Sequence, residues 1–148
     1  MKIANRIKLI VAGHMILERD EKIFLMRRYN TQYQDGKFGL PAGHKEDGET
    51  FLQCAIREAY EEAGVKIKAK DVEFVHAIHK YSIDVSQNRL EVFFLTKRWK
   101  FEPGIVEPYK CDKAGWYFKK KLPKNMVDYV GESLKLVLKN KKFHEKKV

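Results

Sequence analysis

The chain has 148 residues, 44% of them hydrophobic and 12% aromatic, enough for one ordinary core but too few for two. There is no apolar run of about eighteen residues, and no apolar stretch before a small-residue cleavage site in Met1 to Val11, so neither a membrane span nor a secretory signal is expected. Thirty Lys and Arg against twenty Asp and Glu give a net +10, a field that draws anions such as nucleotides and nucleic acids.

In chain order, Lys8 to Leu17 is apolar and rich in β-branched residues, Arg19 to Lys22 is polar, and Ile23 to Met26 is apolar again. That pattern predicts a strand, a turn and a strand. A polar loop from Arg27 to Gly36 follows, then a short strand at Phe38 that runs into the Gly- and Pro-rich stretch ending at Gly48. Thr50 to Ala63 is the clearest helix, because Leu52, Ala55, Ile56, Ala59 and Ala63 recur on one face. Thr50 and Gln53 match a capping box, and Gly64 stands where a left-handed terminal residue is expected. Val72 to Val85 and Leu90 to Lys100 predict two strands joined by Ser86 to Asn88, the second apolar enough for burial on both faces. A loop from Phe101 to Ala114, a short strand at Trp116 to Phe118 and a helix from Met126 to Leu138 complete the pattern. Lys139 to Val148 is expected to fray, so one domain over 1–140 and a basic tail over 141–148 are anticipated.

Charge is uneven along this pattern. Lys119 to Val148 carries ten Lys and three acids, whereas Gly43 to Val65 carries six acids against Lys45 and Arg57. A tight carboxylate cluster repels itself unless cations neutralise it. A basic chain with one acidic island therefore suggests a polyanion substrate met through a metal. On a helix, Glu58, Glu61 and Glu62 share a sector opposite the apolar stripe, and like charges at these spacings cost a few tenths of a kcal/mol per pair. Three such acids are ordinarily a solvated face. Here Arg57 stands where it can orient them, Glu49 can approach from the preceding loop, and Gly43 lets backbone come close. Hard oxygen ligands suit Mg²⁺ or Mn²⁺ completed by water and phosphate oxygens. The set describes metal-assisted attack of water on a phosphoanhydride.

These residues resemble a family signature. Gly43, five residues, Glu49, seven residues and then Arg57-Glu58-Ala59-Tyr60-Glu61-Glu62-Ala63-Gly64-Val65 is similar to the complete Nudix box, and the element order resembles the Nudix fold, an α/β architecture with a mixed sheet sandwiched between helices. The resemblance implies that Glu58, Glu61 and Glu62 bind Mg²⁺ or Mn²⁺ on a diphosphate, with the Gly43 carbonyl as a further ligand. It also implies that Arg57 holds the glutamates and that Glu49 supports the metal site. The catalytic base varies in the family, so a box glutamate or a loop acid can serve.

Substrate choice rests on looser similarity. Lys97 to Asn125 resembles the MutT-like branch, which cleaves nucleoside triphosphates to monophosphate and pyrophosphate. There Glu107 matches a loop acid that reaches the metal, and Asn125 falls within one position of an Asn that reads the base. Each has a plain alternative, a solvated acid beside Pro108 and a helix-capping Asn. Dinucleoside polyphosphates, sugar nucleotides, RNA 5′ ends and an RNA-binding module remain the alternatives; Lys80 and Tyr81 stand where sugar-nucleotide hydrolases usually carry Pro. Among the aromatics, Phe38, Trp99 and Trp116 suit a core, and Phe38 is the candidate for lining the substrate pocket. His76 and His79 are taken as sheet residues, because three apart on a strand they face opposite sides. Cys54 and Cys111 are taken as reduced thiols, without the spacing of a disulfide framework or a zinc site. The lysine-rich end is read as a solvated face that steers anions, with nucleic-acid contact as the alternative. A cytoplasmic protein is expected, with monomer and homodimer both open.

Overall fold

The structure, a computed structural model, describes residues 6–148; the part of the leader expectation that concerns residues 1–5 lies outside the described residues. The first strands form as expected, β1 at Ile10–Arg19 and β2 at Lys22–Arg28, joined by the tight turn at Asp20 and Glu21. Two short strands follow, β3 at Phe38–Gly39 and β4 at Ala42–His44. Helix α1 runs Phe51–Ala63. Its capping box is complete, with Thr50 accepting from the Gln53 N–H and the Gln53 side chain accepting from Thr50, and Gly64 closes it at φ +75°.

The remaining strands are β5 at Val72–Tyr81, β6 at Arg89–Thr96 and β7 at Cys111–Phe118, followed by helix α2 at Asp128–Leu138 and strand β8 at Phe143–Lys147. The sheet path is β3-β2-β1-β6-β5-β8, with β4 pairing β1 and β7 pairing β2. It is mixed: β1 lies parallel to β6, and β5 lies antiparallel to β6 but parallel to β8. Alternation along β1 serves two helices. Ile16 joins a core with Phe93, Leu95, Val130 and Leu134 on the α2 side, while Met15 and Leu17 pack with Ala55, Ala59 and Phe94 on the α1 side. Each fully buried large side chain of this kind contributes about 1.5–3 kcal/mol.

The expected fraying of the chain end is not what forms. Phe143–Lys147 pairs with β5 from Ala77 to Tyr81, and side chains secure it. His76, wholly buried, donates from Nδ1 to the Lys141 carbonyl at 2.7 Å. That leaves its Nε2 to accept from His144 Nδ1, also at 2.7 Å. His79 meets Glu145 at 2.8 Å, and Lys146 donates to Glu132 on α2 at 2.6 Å. The end of the chain is an edge strand whose lysines keep the sheet edge charged. Both cysteines are free and buried, and no helix among the described residues is long and apolar enough to cross a membrane.

Candidate active site

Helix α1 is seated on β1 through small residues, Ala55, Ala59 and Ala63 being buried. This close seating turns the other side of the helix toward β4. A Cβ at Gly43 would overlap the Glu58 carboxylate, so the absence of a side chain there is what lets Glu58 lie against the strand. The Gly43 carbonyl accepts from the Cys54 thiol at 3.4 Å.

Arg57 gathers the acids. It donates from Nε and Nη2 to the two Glu49 oxygens at 3.0 and 2.8 Å, and from Nη1 to Glu58 at 2.8 Å and Glu61 at 3.1 Å. Its Nη2 also reaches the His44 carbonyl at 3.1 Å. The forked hydrogen bonds from Arg57 hold Glu49 well below the usual carboxylate range, at about 2. Arg57 is raised in turn, chiefly by its bonds to Glu49.

The three helix glutamates are not alike, although the spacing predicts that all three turn away from the core together. Glu61 is exposed at the rim, whereas Glu58 and Glu62 are only partly exposed. Burial raises Glu58, against the pull of Arg57 and with added repulsion from Glu61 and Glu107. Burial also pushes Glu62 up to about 8; one 2.7 Å bond from the Ala42 N–H opposes the rise, while Glu58 and Glu107 add to it. In both, burial outweighs the positive charge at hand, Arg57 beside Glu58 and the weaker pull of Arg28 on Glu62.

Glu107 arrives from the loop before β7. Gly104 N–H donates to the Ala63 carbonyl at 3.0 Å and Val106 N–H to that of Glu62 at 3.3 Å, which docks the loop on the end of α1. The result is a cleft of about 460 Å³ with Glu58, Glu62 and Glu107 among its lining residues and Arg27, Arg28 and Lys110 among the others. Acids and bases face one open space, as a cation and a phosphate bound side by side would require. As placed, no three acidic, His or Cys side chains among the described residues enclose an ion. A cation of the Mg²⁺ type needs only one or two carboxylates with water and phosphate oxygens, and the carboxylates lining this cleft are Glu58, Glu62 and Glu107.

Two expected pocket residues stand elsewhere. Phe38 is 4% exposed and packs in the α2-side core against Tyr117, because its short strand is held between β2 and the Asn125–Val127 backbone. Asn125 spends its amide on the Gly36 carbonyl at 2.9 Å and does not line the acidic cleft. Arg27, Arg28 and Lys110 are not among the residues expected from sequence. The signal was the basic pair closing an apolar strand; what brings Lys110 beside it is the pairing of Arg28 with Cys111 across β2 and β7.

Sequence and structure comparisons agree with this architecture. Residues 8–136 match the NUDIX domain family. An ADP-ribose pyrophosphatase of Methanocaldococcus jannaschii is 40% identical over 67 residues, 45% of this chain, which spans only 39% of that protein's length. An 8-oxo-dGTP diphosphatase of Proteus vulgaris is 29% identical over 96 residues, 64% of this chain and 81% of that one. Among solved structures, a MutT NUDIX hydrolase from Burkholderia pseudomallei superposes with a TM-score of 0.77 at 22% identity, covering 86% of this chain and 97% of that chain.

Proposed function

The chain belongs to the NUDIX domain family, and from that premise we propose that it is a metal-dependent pyrophosphohydrolase acting on a nucleoside diphosphate-linked substrate. Our preferred substrate is a nucleoside or deoxynucleoside 5′-triphosphate, cleaved to monophosphate and pyrophosphate. The observation that carries the reading is the pairing of under-neutralised carboxyls, Glu58 and Glu62, with Arg28 and Lys110 across one cleft. The similarity to an 8-oxo-dGTP diphosphatase over 81% of its length supports the triphosphate.

Glu58 and Glu62, with Glu107, would hold Mg²⁺ or Mn²⁺. A divalent cation bound there would offset charge on the phosphoryl oxygens and supply a water acidic enough to act as nucleophile near neutral pH. The chain's own share is positioning. Arg57 fixes Glu58 through its 2.8 Å bond and is itself clamped by Glu49 and by Glu61 at the rim. Arg28 and Lys110 face the cleft as donors to the phosphate oxygens and offset charge as it moves to the leaving group. Glu62 and Glu107, both lining the cleft, are the candidate carboxylates to take a proton from the attacking water.

The test is hydrolysis of a panel of nucleoside triphosphates, dinucleoside polyphosphates, sugar nucleotides and 5′-triphosphorylated RNA with Mg²⁺. Glu58→Gln should lower kcat by roughly 10² to 10⁴ with the fold intact, the loss expected when a metal-ligand charge disappears. Undiminished turnover in excess EDTA would sink the assignment. Much faster turnover of sugar nucleotides than of any triphosphate would overturn the substrate but leave the chemistry.

A further inference from the structure

On the α2 face of the sheet lies a second cavity of about 420 Å³ that shares Arg28 and Ala42 with the acidic cleft, so the two spaces adjoin. Its floor holds an unusual arrangement of charge. Lys80 on β5 and Arg89 on β6 are direct cross-strand partners, and directly opposed like charges destabilise a sheet. Burial, together with repulsion from Arg89 and Lys146, holds Lys80 below the usual range for an amine despite the nearby Glu91. Glu91 cannot serve both cations. Its Oε1 accepts from His14 at 2.7 Å, and its Oε2 stands 3.6 Å from Lys80 Nζ. Arg89 is left over: its Nη1 is buried and finds no acceptor among the described residues. Arg28, on the shared wall, adds another positive charge.

A buried guanidinium N–H without an acceptor is costly and uncommon. Here two cations are also kept side by side in front of an open space of ligand size. Lys80 leans on Glu91 and on the Tyr129 ring, but Arg89 Nη1 receives no acceptor among the described residues, so the cavity is arranged for an anion that arrives. The guanidinium fork matches phosphate oxygens in geometry as well as charge.

We propose that Lys80 and Arg89 form a phosphate subsite, distinct from the scissile diphosphate, which selects substrates carrying one phosphate more than the reaction consumes. The inference deepens the proposed function and rests on it for the term substrate. Such a phosphate can come from the sugar, as a 3′-phosphate or the first phosphodiester of an oligonucleotide, or from the far end of a longer polyphosphate. Both present the same chemistry to Arg89.

The experiment is calorimetric binding, without divalent cation, of a nucleoside 5′-monophosphate, its 3′,5′-bisphosphate and its 5′-triphosphate to the whole protein and to Arg89→Ala and Arg89→Lys. Among the described residues the buried Arg89 Nη1 has no partner that its removal would break, so Arg89→Ala should fold, and an unchanged melting temperature checks it. The wild type should bind the bisphosphate about 10- to 100-fold tighter than the monophosphate, the range expected for hydrogen bonds to a charged group. Arg89→Ala should abolish that gain and Arg89→Lys keep part of it. A gain with the triphosphate alone that Arg89→Ala removes assigns the phosphate to the polyphosphate end. No Arg89-dependent gain with either ligand overturns the subsite. Hydrolysis keeps the two ideas apart, because the binding measurements need neither divalent cation nor turnover. Failure of the wild type to hydrolyse anything refutes the proposed function and leaves the binding result standing.

Discussion

Two largely buried glutamates, one on each side of the sheet, show how differently the same side chain can be treated. On the α2 side, burial would raise Glu91, but the hydrogen bond and charge of His14, with Lys80 and the Tyr129 hydroxyl, hold it at about 2. On the α1 side, burial raises Glu62 to about 8, repulsion from Glu58 and Glu107 adds to the rise, and Arg28 opposes it only weakly. The chain neutralises the first itself. The second it offsets only weakly through Arg28, the arrangement expected of a carboxyl kept for an arriving cation rather than for structure.

The largest expected break in that comparison is Glu62→Gln. If its charge completes the metal site, kcat should fall by roughly 10² to 10⁴, measured with saturating Mg²⁺ and a nucleoside triphosphate. Next comes Glu91→Gln, which strips Lys80 and His14 of their carboxylate and should cost about 3 kcal/mol of stability in a denaturant titration. A loss of activity at unchanged stability in that variant would mean that Glu91 belongs to the chemistry after all.

pH separates the pair further. Glu91 has a folded pKa below its ordinary 4.5, so its contribution is present above pH 4.5 and is lost as pH falls toward 2. For Glu62 the folded value lies above 4.5, so the neutral carboxyl favours the fold and that stability is lost as pH rises through about 8. Without divalent cation at pH 9, Glu62→Gln should therefore melt higher than wild type, and added Mg²⁺ should narrow the gap. The smallest effect concerns the exposed Lys120, Lys121 and Lys124. Exchanging them for Gln should raise KM modestly at low salt, leave kcat alone, and become undetectable at high salt, because screening acts over about 8–10 Å.

What could be read from the chain alone follows how locally each feature is encoded. Helix α1, its caps and the spacing of Glu58, Glu61 and Glu62 are carried by adjacent residues, and they form as the spacing predicts. The unequal burial of those glutamates depends on β4 lying against the helix at Gly43, a contact between segments. Strand β8 was hidden because Phe143 to Lys147 is mostly charged and its partner, β5, lies more than sixty positions earlier. The basic wall of the cleft was hidden for the same reason, since Arg28 and Lys110 meet only through the register of β2 and β7. Phe38 and Asn125 show the converse: a residue type suited to a base pocket was committed by its neighbours to packing and to a loop clamp.

The central claim, that the α1 cleft keeps a carboxyl under-neutralised for an arriving cation, is tested most directly by following the Glu62 side-chain carboxyl by carbon NMR as pH is varied, with and without Mg²⁺. The account predicts a midpoint near 8 without metal and a midpoint moved below neutrality when Mg²⁺ is added, while Glu91 titrates near 2 in both conditions. A Glu62 midpoint in the ordinary carboxylate range without metal, or one that Mg²⁺ leaves unmoved, would contradict it.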